Sequence, residues 1–129
     1  MEKKQTEIKN LKDGSFILLD DVPCRVDSIQ LSKSGKHGAA KARLVARGIF
    51  TDVKKSVVYP GDTKMDVPVI EKKSMQVIAF ISDHVQLMDL QDYSTIELAI
   101  PDEFKGQLKE GDEVLVWAFG SYAMIKGRK

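Results

Sequence analysis

Lys36 stands between two glycines in the run Ser32-Lys33-Ser34-Gly35-Lys36-His37-Gly38. Glycine tolerates positive φ at a tight turn and leaves the backbone open to close approach, so the amine is presented with little around it. Three known chemistries use a lysine presented in this way. A phosphate-cradling P-loop requires Gly-x4-Gly-Lys-Ser/Thr, but His37 follows Gly35-Lys36 and Gln30 occupies the first glycine's place. Gly35-Lys36-His37-Gly38 matches the four-residue loop of KH domains, which must join two helices, whereas its neighbours here read as strands. A Schiff-base lysine needs burial to depress its pKa, and no pocket is visible in the sequence. Local spacing alone favours a hairpin tip with solvated lysines.

Other chemistry is thin. His37, His84 and the lone Cys24 give no metal-ligand spacing. Cys24, between Pro23 and Arg25, reads as a small core residue, and a single thiol suits a reducing compartment. His84 follows Asp83 at an expected turn and is expected to be exposed. Asp20-Asp21 and Asp112-Glu113 flank turns, where solvated acids are the default. Met75, Met88, Trp117 and Phe119 read as core rather than a cofactor box. No catalytic constellation appears, and no nucleophile elbow.

The elements that must position the loop read as strands. The 129-residue chain holds 12 Val and 10 Ile against 10 Leu, an excess of β-branched residues. Turn signals recur at Asp13-Gly14, Gly35, Gly38, Pro60-Gly61-Asp62, Ser82-Asp83, Gly111-Asp112 and Gly120. Strand-length runs lie between them: 15–19, 25–31, 56–59, 75–81, 85–90, 95–100, 114–119 and 122–125. Ile96, Leu98 and Ile100 alternate with polar neighbours, as in a half-buried strand, whereas 114–119 is continuously apolar and predicts burial on both faces. Residues 39–50 contain helix-favouring alanines. Their pattern is nevertheless that of a strand, with Ala40, Ala42, Leu44, Ala46, Gly48 and Phe50 on one face and Lys41, Arg43 and Arg47 on the other. One short helix, partly 3₁₀, is expected over 101–109, weakened by Gly106.

Charge sharpens the picture. The formal net charge is only +1, which argues against a grossly basic nucleic-acid coater. A domain boundary near Pro68 divides it into net +4 for 1–68 (13 bases, 9 acids) and net −3 for 69–129 (7 bases, 10 acids). From Ser28 to Thr51 there is no carboxylate, while Lys33, Lys36, Lys41, Arg43 and Arg47 all fall inside. No apolar run reaches the ~18 residues of a membrane span, and the first residues lack the apolar core of a secretory signal, so a cytoplasmic location is expected.

The run Ser32-Lys33-Ser34-Gly35-Lys36-His37-Gly38-Ala39-Ala40-Lys41-Ala42-Arg43 closely resembles the signature of the translation initiation factor 5A family, the hypusine-containing factors related to bacterial elongation factor P. Asp21-Val22-Pro23-Cys24, Gly48-Ile49-Phe50, Met65-Asp66-Val67-Pro68 and Val85-Gln86-Leu87-Met88-Asp89 extend the resemblance over nearly the whole chain. Ala39, where eukaryotic members usually carry histidine, and the ending at Lys129 without a longer tail give it an archaeal look.

The resemblance implies an all-β fold: an SH3-like (KOW-like) barrel over 1–68 carrying the hypusine loop, then an OB-fold barrel with one short helix over 69–129. It implies that Lys36 receives the aminobutyl group of spermidine from a deoxyhypusine synthase. That synthase uses NAD, and the chain itself binds no cofactor. It implies a ribosomal site beside the acceptor end of peptidyl-tRNA, reached by Lys33, Ser34, Gly35, Lys36, His37, Gly38, Lys41, Arg43 and Arg47. The expected action is promotion of peptide-bond formation at stalled, proline-rich sequences and of termination, without enzymatic chemistry, membrane binding or DNA specificity. The −3 half is expected to contribute shape and protein contacts more than phosphate affinity. A general single-strand RNA-binding protein built from the same two barrels is the alternative, and a small enzyme using Lys36 a third.

Overall fold

Short β-branched runs separated by turn residues leave little room for helix, and the computed structural model contains strands and 3₁₀ turns alone among the residues it describes, 3–33 and 40–129, with the Lys33 side chain outside that description. The chain divides into two units, Met1–Val69 and Ile70–Lys129.

In the first unit, β2 (Phe16–Leu19), β3 (Val22–Lys33), β4 (Ala40–Gly48) and β5 (Lys54–Pro60) form an antiparallel meander, while β1 (Lys3–Glu7) pairs with β6 (Lys64–Pro68) as a two-stranded ribbon. The β2–β3 connection is a two-residue turn in which Asp20 and Asp21 both take positive φ (51° and 64°), as a type I′ hairpin requires. The core gathers Ile8, Ile17, Cys24, Val26, Ala42, Leu44, Ala46 and Met65. Each fully buried Ile or Leu here stabilises the fold by roughly 1.5–3 kcal/mol, more than any exposed ion pair of the unit. In β3 the register slips between Val26 and Ser28, so Asp27 is an extra residue. The buried face moves from even positions (Cys24, Val26) to odd ones (Ile29, half-buried) across that bulge.

In the second unit the order is β11 (Tyr122–Arg128), β10 (Glu113–Phe119), β7 (Glu71–Ile81), β8 (His84–Asp89), β9 (Thr95–Ala99), a curled five-stranded half-barrel. Its core holds Met75, Val77, Val85, Leu87, Leu108, Val114, Val116 and Ile125. The expected helix over 101–109 is reduced to one 3₁₀ turn, Asp102–Phe104. The extended Lys105 ends it, Gly106 at φ 77° lies in the next turn, where the Gln107 N–H donates to the Phe104 carbonyl, and Phe104 and Leu108 still pack on the core. β10 is not buried on both faces: Val114 and Val116 are fully buried, but Leu115 and Trp117 on the opposite face are half-covered. Met75 and Phe119 are core residues as expected, whereas Met88 and Trp117 are half-buried. Among the described residues no helix is long and apolar enough to cross a membrane.

Candidate functional site

β3 and β4 pair without interruption from Ser28↔Val45 to Lys33↔Ala40, through Ile29↔Leu44, Gln30↔Arg43, Leu31↔Ala42 and Ser32↔Lys41. Strands make this hairpin because one face of β4 alternates small and branched apolar residues. Ala42, Leu44, Ala46 and Gly48 are buried, while Lys41, Arg43 and Arg47 point outward and are exposed. The pattern read from the sequence therefore sorts the cations onto one face, and Phe50 alone falls beyond the strand end. Ser34, Gly35, Lys36, His37 and Gly38 lie outside the described residues. The ladder closes at Lys33↔Ala40, directly at the root of that segment.

The outward face around Lys41 and Arg43 is built from Gln30 and Ser32 of β3 and Val58 and Pro60 of β5, their cross-strand neighbours. None of these is acidic, so the carboxylate-free stretch of sequence becomes a carboxylate-free patch of sheet. Arg47 is placed differently. It lies four residues, about 13 Å, further down the strand than Arg43. Its Nη1 donates to the Asp52 carbonyl at 3.1 Å and stands 3.6 Å from the Asp52 carboxylate. That guanidinium closes the β4–β5 turn, in which Asp52 takes φ 59°.

The root of the loop has a support of which the sequence shows only a turn. The Gly61 N–H donates to the Ala40 carbonyl at 2.7 Å, and Gly61 in turn accepts from the Lys9 N–H at 3.2 Å. A Cβ at position 61 would stand 3.1 Å from that same carbonyl oxygen, so an alanine there fits only if the oxygen gives by a few tenths of an ångström. Ile8, fully buried, donates to Thr63 at 2.8 Å and ties the same corner to the core. The signal available in the sequence is Pro60-Gly61-Asp62, a turn motif with no hint of its partner.

The remaining titratable candidates do not converge on a site. Cys24 is fully buried, its thiol donating to the Val22 carbonyl at 3.3 Å, and burial pushes its pKa up. His84 is half-buried rather than exposed, and its Nδ1–H donates to Asp83 at 2.8 Å. That bond, with the charge of His84, holds the Asp83 carboxyl below its usual range. Among the described residues no His, Cys, Asp or Glu cluster is arranged to hold a metal.

Residues 2–63 match the family described as "Translation initiation factor 5A-like, N-terminal", and residues 69–128 match "Eukaryotic elongation factor 5A hypusine, DNA-binding OB fold". Translation initiation factor 5A of Methanocella arvoryzae is 51% identical over 112 residues, covering 87% of this chain and 88% of that one. The factor of Thermofilum pendens is 50% identical over 131 residues, 99% of each chain. The solved structure of eukaryotic translation initiation factor 5A from Methanococcus jannaschii superposes with a TM-score of 0.88 at 43% identity, covering 98% of this chain and 95% of that one. A family protein from Naegleria fowleri gives a TM-score of 0.80 at 29% identity, covering 100% of this chain and 99% of that one. A chain of this fold, carboxylate-free from Ser28 to Thr51 and with matches spanning both of its units, belongs to the translation initiation factor 5A family, hypusine-containing translation factors that are not enzymes.

Proposed function

We propose that Lys36 is the residue that carries deoxyhypusine or hypusine, and that the chain acts on the ribosome beside the acceptor end of peptidyl-tRNA. In this reading the 1–68 domain presents the loop, and 69–129 is the OB-fold partner domain. A deoxyhypusine synthase transfers the spermidine aminobutyl group to the Lys36 amine, breaking the C–N bond of spermidine and releasing 1,3-diaminopropane, before the factor reaches the ribosome in the cytoplasm. The product is a longer side chain with a second amine, so cationic donors extend further from the sheet.

The observation that carries the reading is the ladder ending at Lys33↔Ala40, with Lys41 and Arg43 exposed on an acid-free face beside it. Lys33, Lys41 and Arg43 neutralise RNA phosphates and position the loop without reading sequence. Ser34, Gly35, His37 and Gly38 take part in the same RNA and ribosome contact, and Arg47 supports the patch from its lower end. The factor then acts by proximity. It orients a sluggish peptidyl-tRNA for bond formation, notably at proline-rich stalls and at termination, with no covalent step of its own.

Peptide mass spectrometry of protein purified from its native host tests the proposal. An added aminobutyl group on the Lys36 peptide is expected, and an unmodified lysine there overturns it. Lys36→Arg keeps the charge, so an electrostatic RNA binder retains its activity with this variant, whereas the factor proposed here loses relief of proline stalls in a reconstituted translation assay.

A further inference from the structure

The net −3 of residues 69–129 conceals one face of opposite character. Trp117, the only tryptophan of the chain, sits on the side of β10 turned away from the core and is half-buried. The ammonium of Lys72, from the neighbouring β7, stands 4.9 Å from its ring centroid, and that of Lys126, from β11 on the other side, stands 5.1 Å away. Both lie within the ~6 Å at which an aromatic face attracts a cation. Lys72 is the cross-strand partner of Trp117. Lys126 is the extra residue where the β10–β11 register slips, and the bulge re-aims its side chain over the same ring. Two flexible, strongly hydrated side chains from strands on either side of β10 are thus gathered at one point, which lowers the entropy each loses on meeting a ligand.

The surroundings preserve the charge. Ser74 and Leu115 share this face by strand alternation, and its one acid, Glu113, is met by Lys129 at 3.7 Å. Lys129 also donates to Ser74. Other acids of the unit are bonded elsewhere: Glu71 to Lys73, Asp83 to His84, Asp89 to the Gln91 N–H, Asp92 to Ser94, Asp102 to Lys105 and Asp112 to the Lys109 N–H.

We propose that Lys72, Trp117 and Lys126 form a second RNA-backbone contact, on the outer face of β7–β10–β11, with Trp117 as the positioning residue that holds two ammonium groups ready for phosphates. This rests on the ribosomal reading above and adds to it a phosphate grip in the unit whose average charge argued against one. Phosphate contact of this kind is independent of base identity and steeply dependent on salt.

The test uses the full chain, recombinant and unmodified, with a fluorescein-labelled oligouridylate of about 12 nucleotides, titrated by anisotropy across a salt series. Lys72→Gln with Lys126→Gln is expected to weaken binding at least about tenfold near ~50 mM salt, and to lower the slope of log affinity against log salt by about 1.4, roughly 0.7 for each phosphate no longer neutralised. Lys72→Arg with Lys126→Arg retains both. Trp117→Phe, which keeps a ring on the sheet, weakens binding less than the double glutamine variant. Wild-type affinity and slope in the double glutamine variant overturn the proposal, as does preferential binding of a polyglutamate peptide over the RNA. Lys41→Ala with Arg43→Ala serves as the separate arm. If it alone removes binding, the second contact fails while the proposed function stands. An unmodified Lys36 in the native host removes the proposed function without altering this titration.

Discussion

The Gly61 N–H donates to the Ala40 carbonyl across 2.7 Å, which pins the β5–β6 turn to the root of the segment that carries Lys36. This single bond joins the signature loop to the corner held by Ile8 and Thr63, and so to the core of the first unit. Gly61 is itself buried.

Gly61→Ala places a methyl 3.1 Å from the Ala40 oxygen and 3.4 Å from its Cβ. Overpacking against backbone is expected to cost about 1 kcal/mol. Thermal unfolding should show the first unit melting about 4 °C or more below wild type. An unchanged melting temperature would show that the corner adjusts freely and supports nothing.

Lys41, Arg43 and Arg47 should separate by experiment. Arg47→Ala removes the hold on the Asp52 carbonyl and should lower stability by about 1 kcal/mol at most, since both side chains are exposed. Its effect on RNA affinity should be small. Lys41→Ala and Arg43→Ala leave denaturation midpoints unchanged, while each flattens the salt dependence of single-strand RNA binding by about 0.7. A flatter slope for Arg47→Ala than for Arg43→Ala would reverse this division of labour.

Cys24 should resist alkylation in the native state and react only on unfolding. Its thiol is fully buried and its pKa is raised by that burial, so the nucleophilic thiolate is scarce. The sign of the linkage follows. The native state favours the protonated thiol, so this contribution to stability is present below the ordinary thiol pKa and is lost as pH rises through the folded-state value. Iodoacetamide labelling of native and guanidinium-unfolded protein at neutral pH measures it directly, and equal rates would contradict it.

Asp83 offers the opposite sign. Its carboxyl is held below the usual range first by the hydrogen bond from His84 and then by the charge of that ring. The ion form is favoured in the folded state, so its contribution is present above the ordinary carboxylate pKa and fades as pH falls through the depressed one. His84→Ala should move the Asp83 titration upward, as followed by carboxyl carbon shifts in NMR. A titration that stays where it was would mean that His84 is not the cause.

The fold is legible in the sequence wherever apolar alternation marks a strand. Leu44 and Ala46 on one side and Arg43 and Arg47 on the other predict the working face of β4, and Ile96 and Leu98 the buried side of β9. The ribbon of β1 and β6 is not visible there, because Lys3-Lys4-Gln5-Thr6-Glu7 has no apolar period and is a strand only through its partner. The bulge at Asp27 leaves a trace, since the apolar parity changes between Val26 and Ile29, but parity alone does not say which strand carries the extra residue. Trp117 departs from expectation for a related reason. In a continuously apolar run the sequence does not show which residues turn outward, and the lysines that cover the ring come from neighbouring strands, one of them distant in the chain. Of the site, the cations and glycines are readable, whereas the strut from Gly61 and the Arg47–Asp52 closure are tertiary facts that no local spacing encodes.

The β3–β4 ladder, uninterrupted from Ser28↔Val45 to Lys33↔Ala40, also has a mechanical meaning. A load applied at the tip along the strand axis, as when a bound RNA is drawn away, acts in shear. It is shared by the rungs from Lys41↔Pro60 to Arg47↔Lys54 that bind β4 to β5, and by those that bind β3 to β2. Rungs loaded together share the force, whereas a pull across the strands would open them one at a time.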